Sequence, residues 1–306
     1  MSILVIGATF VDIKGFPFDN YLPTGRNAGK VEYVHGGVAS NVVEDIANIE
    51  LRPTFLSIVD DTPMGDAVVQ KLKNHKVNTD YVLTRPDGMG TWLAVFDNNG
   101  DVAGSISKRP NMYPIAELLE EKGDEIFSQV PSVVLEIGLD KEIVKLTLAL
   151  SQKHKVKVFA LVANMSIAAE RRDLLQQFDC VICNRQEAGI LFLDDYEAKT
   201  PEEMRDILAD RIAAANIPSM VVTMGGDGAV YANLQGEKGI CPARKVQVKD
   251  TTGAGDSFCA GVAIGMTYGK TMAEAVEIGT TLAASVIISS ENVCPRFRPE
   301  EFGIQI

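Results

Sequence analysis

The 306-residue chain is short of positive charge. Lysine and arginine together number 29 against 41 aspartates and glutamates, a formal net charge of −12. Such a surface repels nucleic acid backbones and anionic lipids, which argues against a nucleic acid polymer as partner. No apolar run approaches the roughly 20 residues that span a bilayer, so no membrane span is expected. The opening "MSILVIGATF" has no basic segment ahead of it and no small-residue cleavage site behind it. It reads as a first β-strand rather than a signal peptide, and a cytoplasmic location is the default. Two common phosphate signatures are also missing. There is no G-x-x-x-x-G-K-[ST], and "IGATFVD" lacks the G-x-G-x-x-G of a dinucleotide fold. Cysteines number only 5. Cys180 and Cys183 form a C-x-x-C, but no second pair or histidine follows at zinc-finger spacing. They lie in the strand-like "FDCVICN", where residues three apart face opposite ways, so both read as core residues. The odd count argues against a disulfide framework. The three histidines, His35, His75 and His154, are scattered along the chain.

What is present is a rhythm. "ILVIGA", "TFLSIV", "SVVLEI", "VKVFALV", "CVICN" and "SMVVTM" are continuous apolar runs. Helical patterns alternate with them: "VASNVVEDIANIE", "MGDAVVQKLKNH", "EIVKLTLALSQKH", "AAERRDLLQQF", "EAGILFL" and a long one over 201–215. Val/Ile-rich strands alternating with helices imply a mainly parallel sheet covered on both faces, an α/β three-layer sandwich. Strands near 229–232 and 238–248 suit an antiparallel edge. Helices over about 256–269 and 272–289 close the chain.

Two segments break the rhythm. Residues 12–35 carry turn signals and short strand runs without a helix. Residues 90–108, "GTWLAVFDNNGDVAGSISK", read as a hairpin turning at Asn99-Gly100. Both leave the core at the carboxyl ends of strands, the side on which open α/β sheets bind ligands. Together they suit a small discontinuous β-sheet lid over a core of 1–11, 36–89 and 109–306. A thin lid leaves an apolar face over, and two lids covering each other would make a homodimer.

The stretch "DTTGAGD" (250–256) has the strongest chemical signal. Gly253, Ala254 and Gly255 are small residues opening a helix. Their N–H groups are free to approach an anion, and Asp256 stands beside them. The helix dipole predicts a lowered pKa for Asp256.

Three further elements accompany it: "HGGVASN" (35–41), "NRQE" (184–187) and "TMGGDG" (223–228). In this order the four resemble the PfkB family of ribokinase-like sugar and nucleoside kinases, over essentially the whole chain. The resemblance implies the following roles. ATP and Mg2+ are the cofactors. Asp256 takes the proton of an acceptor hydroxyl, and the Gly253–Gly255 backbone forms an anion hole. Asn184 and Glu187 order magnesium through its water shell. Thr223, Gly225 and Gly228 form the ATP-phosphate turn. Asp12, Gly36, Gly37 and Asn41 grip acceptor hydroxyls. Glu136, at the end of "SVVLE", is either a further acceptor contact or a loop acid. Asp250 and Thr252 either supply oxygens to a monovalent cation such as K+ or stabilise the turn.

The 12–35 insert, the G-G-V-A-S-N spacing and the hairpin look most like the pseudouridine kinases. Trp92 and Phe10 then provide an apolar wall for a nucleobase. The leading expectation is phosphorylation of a ribonucleoside-like small molecule, pseudouridine first. The alternatives are the same chemistry on ribose, fructose or a related sugar acid, and a non-catalytic nucleoside-binding regulator. The intact Asp256 argues against the regulator.

Overall fold

The computed structural model describes residues 2–162, 170 and 172–305. Six of the expected strands run parallel: β1 (Ile3–Ile6), β4 (Thr54–Val59), β8 (Ser132–Glu136), β9 (Lys157–Leu161), β10 (Cys180–Asn184) and β11 (Ser219–Thr223). β5 (Asn78–Thr84) joins in parallel beside β4, and β12 (Ala229–Asn233) and β13 (Lys238–Cys241) add an antiparallel edge. The order is β13-β12-β11-β10-β9-β8-β1-β4-β5.

These strands alternate their side chains into two cores, one on each face of the sheet. Leu4 and Ile6 of β1 enter one core, and Ile3 and Val5 enter the other. The first core is covered by α3 (Tyr113–Phe127), α4 (Lys141–His154), α5 (Arg185–Phe192) and α6 (Pro201–Ala215). The second is covered by α1 (Val38–Asn48), α2 (Pro63–Asn74), α7 (Ala254–Thr267) and α8 (Met272–Ile287). Cys183 packs in the first core and Cys180 in the second, and all five cysteines are buried free thiols. This is the expected α/β three-layer sandwich, a mainly parallel sheet with helices on both faces.

A second sheet stands apart from the first. Its strands β2 (Phe10–Pro17), β3 (Gly29–Gly36), β6 (Gly90–Phe96) and β7 (Val102–Lys108) have the order β3-β2-β6-β7. Asp12 pairs with Trp92 across β2 and β6, so both stand on one face of this sheet.

Three local expectations change. The edge strand β13 stops at Cys241 rather than running to 248, because Pro242 has no N–H to continue the ladder. The last two helices each begin and end slightly earlier or level with expectation, at 254–267 and 272–287. The helix expected over "AAERRDLLQQF" begins outside the described residues, and Arg172–Gln177 form a short 3-10 helix. No helix among the described residues is long and apolar enough to cross a membrane.

Candidate active site

A parallel sheet brings the carboxyl ends of its strands to one edge. Glu136 ends β8, Asn184 ends β10 and Thr223 ends β11, with Asn184 and Thr223 directly paired in register. A cavity of about 500 Å³ lies between this edge and the small sheet. Its lining includes Asp12, Gly36, Gly37, Asn41, Trp92, Glu136, Thr252 and Asp256. Residues more than 200 positions apart thus share one space. Phe10 lines it beside Trp92, whose ring meets Phe96 edge-on at 6.4 Å.

Asp256 lies in the first turn of α7 and keeps part of its surface open. Asn41 Nδ2 donates to its Oδ2 at 2.7 Å. The lowered pKa expected from the helix dipole is overturned. Burial pushes the Asp256 carboxyl up to about 7, the neighbouring Glu136 and Glu187 push in the same direction, and Asn41 opposes them. Loss of hydration outweighs a dipole whose effect at a helix end is modest.

Glu136 Oε2 accepts from the Ala8 amide at 2.9 Å, which turns the carboxylate toward the start of β2. Burial raises its pKa, and the charge of Arg109 lowers it. Asp12 is likewise raised by burial and lowered by Lys14. Gly37 opens α1 at φ 101, where a Cβ would press on the Ala8 carbonyl at 2.8 Å.

Asn184 and Glu187 cap α5 reciprocally. Asn184 Oδ1 accepts from the Glu187 amide at 2.8 Å, and the Asn184 amide donates to Glu187 Oε2 at 2.7 Å. Burial pushes Glu187 up to about 7. Among the described residues, only hydrogen bonds oppose these rises on Glu187 and Asp256. Two neighbouring half-buried acids of this kind fit a divalent cation. No three His, Cys, Asp or Glu side chains among the described residues gather to hold a metal by themselves. That suits magnesium, which keeps waters and takes one or two carboxylates plus substrate phosphates.

The glycines of the anion motif differ in why they are glycine. Gly253 caps α7 at φ 81, and a Cβ there would collide with the Asn292 backbone. Gly255 has nothing within 4 Å of such a Cβ, and neither has Gly225. Protein packing and backbone conformation leave the glycine at 255 unexplained, whereas Gly225 sits at φ 59, in the left-handed region that favours glycine. Gly228 is different again, at φ 96 against the Pro242 and Ala243 backbone. Ala254 donates its amide to the Thr251 carbonyl at 3.2 Å, which turns that N–H away from the expected role of anion donor. Asp250 Oδ1 accepts from the Thr252 amide at 2.9 Å and hydroxyl at 2.8 Å, the turn-stabilising arrangement.

Sequence reading places Arg109 near the lid without a role and passes over Asp140 and Asn292; all three line the cavity. Asp140 sits at the N-cap of α4 yet makes no side-chain cap bond. An aspartate at that position normally caps. Its place before an apolar-periodic helix gave only the capping signal.

Residues 1–295 match the description pfkB family carbohydrate kinase. The chain belongs to this family. It is 36% identical over 293 residues to a guanosine-inosine kinase of Exiguobacterium acetylicum, covering 95% of this chain and 96% of that one. It is 26% identical over 276 residues to a pseudouridine kinase of Escherichia coli strain K12, covering 90% and 86%. An Arabidopsis thaliana ribokinase complexed with ribose and ATP superposes with a TM-score of 0.87 at 20% identity, over 98% of each chain. This PfkB kinase is an ATP-dependent phosphotransferase of the sugar and nucleoside kinase type.

Proposed function

We propose that this kinase phosphorylates the 5′-hydroxyl of a ribonucleoside, with guanosine or inosine ahead of pseudouridine. One observation carries the reading. A single cavity holds the hydroxyl-binding pair Asp12 and Asn41, the acid Asp256 and the aromatic pair Phe10 and Trp92. A carboxylate and an amide suit vicinal ribose hydroxyls, and flat rings suit a base.

In this reading Asp256 accepts the acceptor hydroxyl's proton as that oxygen bonds the terminal phosphorus of ATP and ADP leaves. The amides of Gly253 and Gly255 hold the transferring charge. Magnesium supplies charge neutralisation at the phosphates. Glu187 with Asn184 orders its water shell. The Thr223–Gly228 turn takes the ATP phosphates. Asp250 Oδ1 takes both Thr252 donors, which supports the turn-stabilising role for this pair.

The order of acceptors rests on the 36% relative and on two cavity residues. Arg109 can donate to neighbouring O6 and N7 acceptors, and Asp140 can accept from N1–H. Guanine and hypoxanthine present that pattern; adenine puts a donor at position 6.

The test is ATP turnover with guanosine, inosine, adenosine, pseudouridine, ribose and fructose. Guanosine and inosine are expected to exceed adenosine at least tenfold in kcat/KM. Arg109→Ala is expected to shrink that ratio by about tenfold, as a lost bidentate contact does. Pseudouridine alone would reverse the order of bases. Turnover confined to a free sugar would reject the wall formed by Phe10 and Trp92. No turnover would favour a nucleoside-binding regulator.

The small sheet serves in this proposal as a lid and as a dimer surface. Tyr33, Ile13, Leu93 and Ile106 align in register across its four strands. Tyr33 is 61% exposed and Ile106 is 70% exposed. Asp12 and Trp92 occupy the opposite, cavity-side face. Two copies covering this stripe form a homodimer. Light scattering at micromolar concentration is expected to give the dimer mass, and Ile106→Lys the monomer mass. A monomeric parent protein would sink the idea.

A further inference from the structure

Helix α1 carries a second polar residue one turn beyond Asn41, and it is fully buried. Asp45 has no exposed surface, and Ser257 and Cys294 beside it are as deeply placed. Asp45 Oδ2 accepts from Ser257 Oγ at 2.7 Å, and Oδ1 accepts from the Cys294 amide at 2.6 Å. Ser257 follows Asp256 in the first turn of α7. Asn48, almost one turn further along α1, donates from Nδ2 to the Cys294 carbonyl at 2.7 Å. Its own carbonyl accepts from the Phe297 amide at 2.9 Å. The segment so tethered includes Asn292, whose backbone sits where a side chain on Gly253 would have to go.

One face of α1 therefore grips two things at once. It holds the turn that bears Asp256, through Asn41 and Asp45. It also holds the chain that backs the Gly253 cap, through Asp45 and Asn48. A buried carboxyl is costly unless its hydrogen bonds are complete, and a hydrophobic residue would fill the space more cheaply. Packing alone does not call for an acid here. Burial pushes the Asp45 carboxyl up to about 8, against the hydrogen bonds it accepts from Cys294 and Ser257. What it supplies is a two-pronged acceptor with fixed geometry.

We infer that Asp45 is a positioning residue for phosphoryl transfer: it locks the Asp256 turn and the Asn292–Cys294 backbone into one rigid unit, so that base and anion hole keep their spacing. The inference rests on the reading of Asp256 and Gly253 given above. Misplacement of a reacting group by about 1 Å can lower a rate on the order of 100-fold. Asp45 touches neither acceptor nor ATP in this scheme, so its loss should fall on kcat and spare binding.

The experiment compares Asp45→Leu, Asp45→Asn and Ser257→Ala with the parent enzyme. The readouts are kcat, both KM values, melting temperature and amide hydrogen exchange over 253–257. Asp45→Leu is expected to lower kcat about 10- to 100-fold, with both KM values within threefold. Its amides at 253–257 should exchange at least tenfold faster. Asp45→Asn, which keeps an acceptor for Cys294 and a polar partner for Ser257, is expected to restore kcat to within threefold. A folded Asp45→Leu enzyme with kcat within twofold of the parent would overturn the inference, as would exchange that does not change. If Asp45→Leu fails to fold, Ser257→Ala decides: a kcat drop of threefold or more at constant KM supports the brace, and an unchanged kcat refutes it. If the parent turns over no acceptor, the proposed function falls, and hydrogen exchange still decides for or against the brace.

Discussion

Asp256→Asn is expected to lower kcat by about 10²- to 10⁴-fold, the range for a lost general base, with KM for ATP and acceptor little changed. The amide is nearly the same shape as the carboxylate, so the loss is one of chemistry. Stability should move the other way. Burial lifts the Asp256 carboxyl from 3.8 to about 7 in the folded chain. An acid with a raised folded pKa disfavours folding increasingly as pH climbs from its unfolded value through its folded one. A neutral amide removes that penalty, so Asp256→Asn should melt no lower than the parent at pH 8. A fall in both kcat and melting temperature would point to damage instead. The same shift sets a pH profile. A base must be deprotonated, so kcat/KM should fall with pH below about 7, approaching tenfold per unit. Magnesium and ATP change the local charge, so the kcat limb should lie elsewhere, and lower where the metal's charge dominates. A kcat for Asp256→Asn within tenfold of the parent would refute the role given to this carboxylate.

The parts of this site that were legible in the sequence are those made by neighbours. "DTTGAGD" shows its small residues, its helix start and its acid within seven positions. The C-x-x-C was legible for the same reason, since a period of two sends Cys180 and Cys183 to opposite cores. Contacts across the fold were not. Asn41 and Asp256 are 215 residues apart, and nothing local says that one donates to the other. Asp45 and Cys294, whose amide it accepts, are 249 residues apart, and no local pattern marks the pair. The Asp256 pKa failed for a related reason. The dipole is visible in the sequence because it belongs to the helix, whereas the lost hydration and the charges of Glu136 and Glu187 belong to the assembled cavity. Arg109 and Asp140 belong to no motif; only the cavity unites them with Trp92.

The two glycines of the anion motif should separate when each is changed to alanine. Gly253→Ala meets two obstacles. Its φ of 81 lies in the left-handed region, and its new methyl would strike the Asn292 backbone. Strain of this kind costs about 1–3 kcal/mol even before the collision is relieved. The chain can escape by moving Asn292 away or by rotating the first turn of α7. Either shift moves the Gly253 and Gly255 amides relative to Asp256. Loss of one anion-hole donor costs on the order of 100- to 1,000-fold in kcat, so Gly253→Ala should lose both stability and most of its turnover. Gly255→Ala meets neither obstacle, since its methyl would touch no protein atom and its φ is ordinary. Alanine also suits a helix better than glycine by roughly 1 kcal/mol. Gly255→Ala should therefore melt at or above the parent temperature. If the bare position serves the phosphates, the methyl occupies their space, and KM for ATP rises or kcat falls at least tenfold. Thermal melts and steady-state kinetics on the two variants give the answer. A Gly255→Ala enzyme as active as the parent would mean that the open space at this residue is not where the phosphoryl group passes.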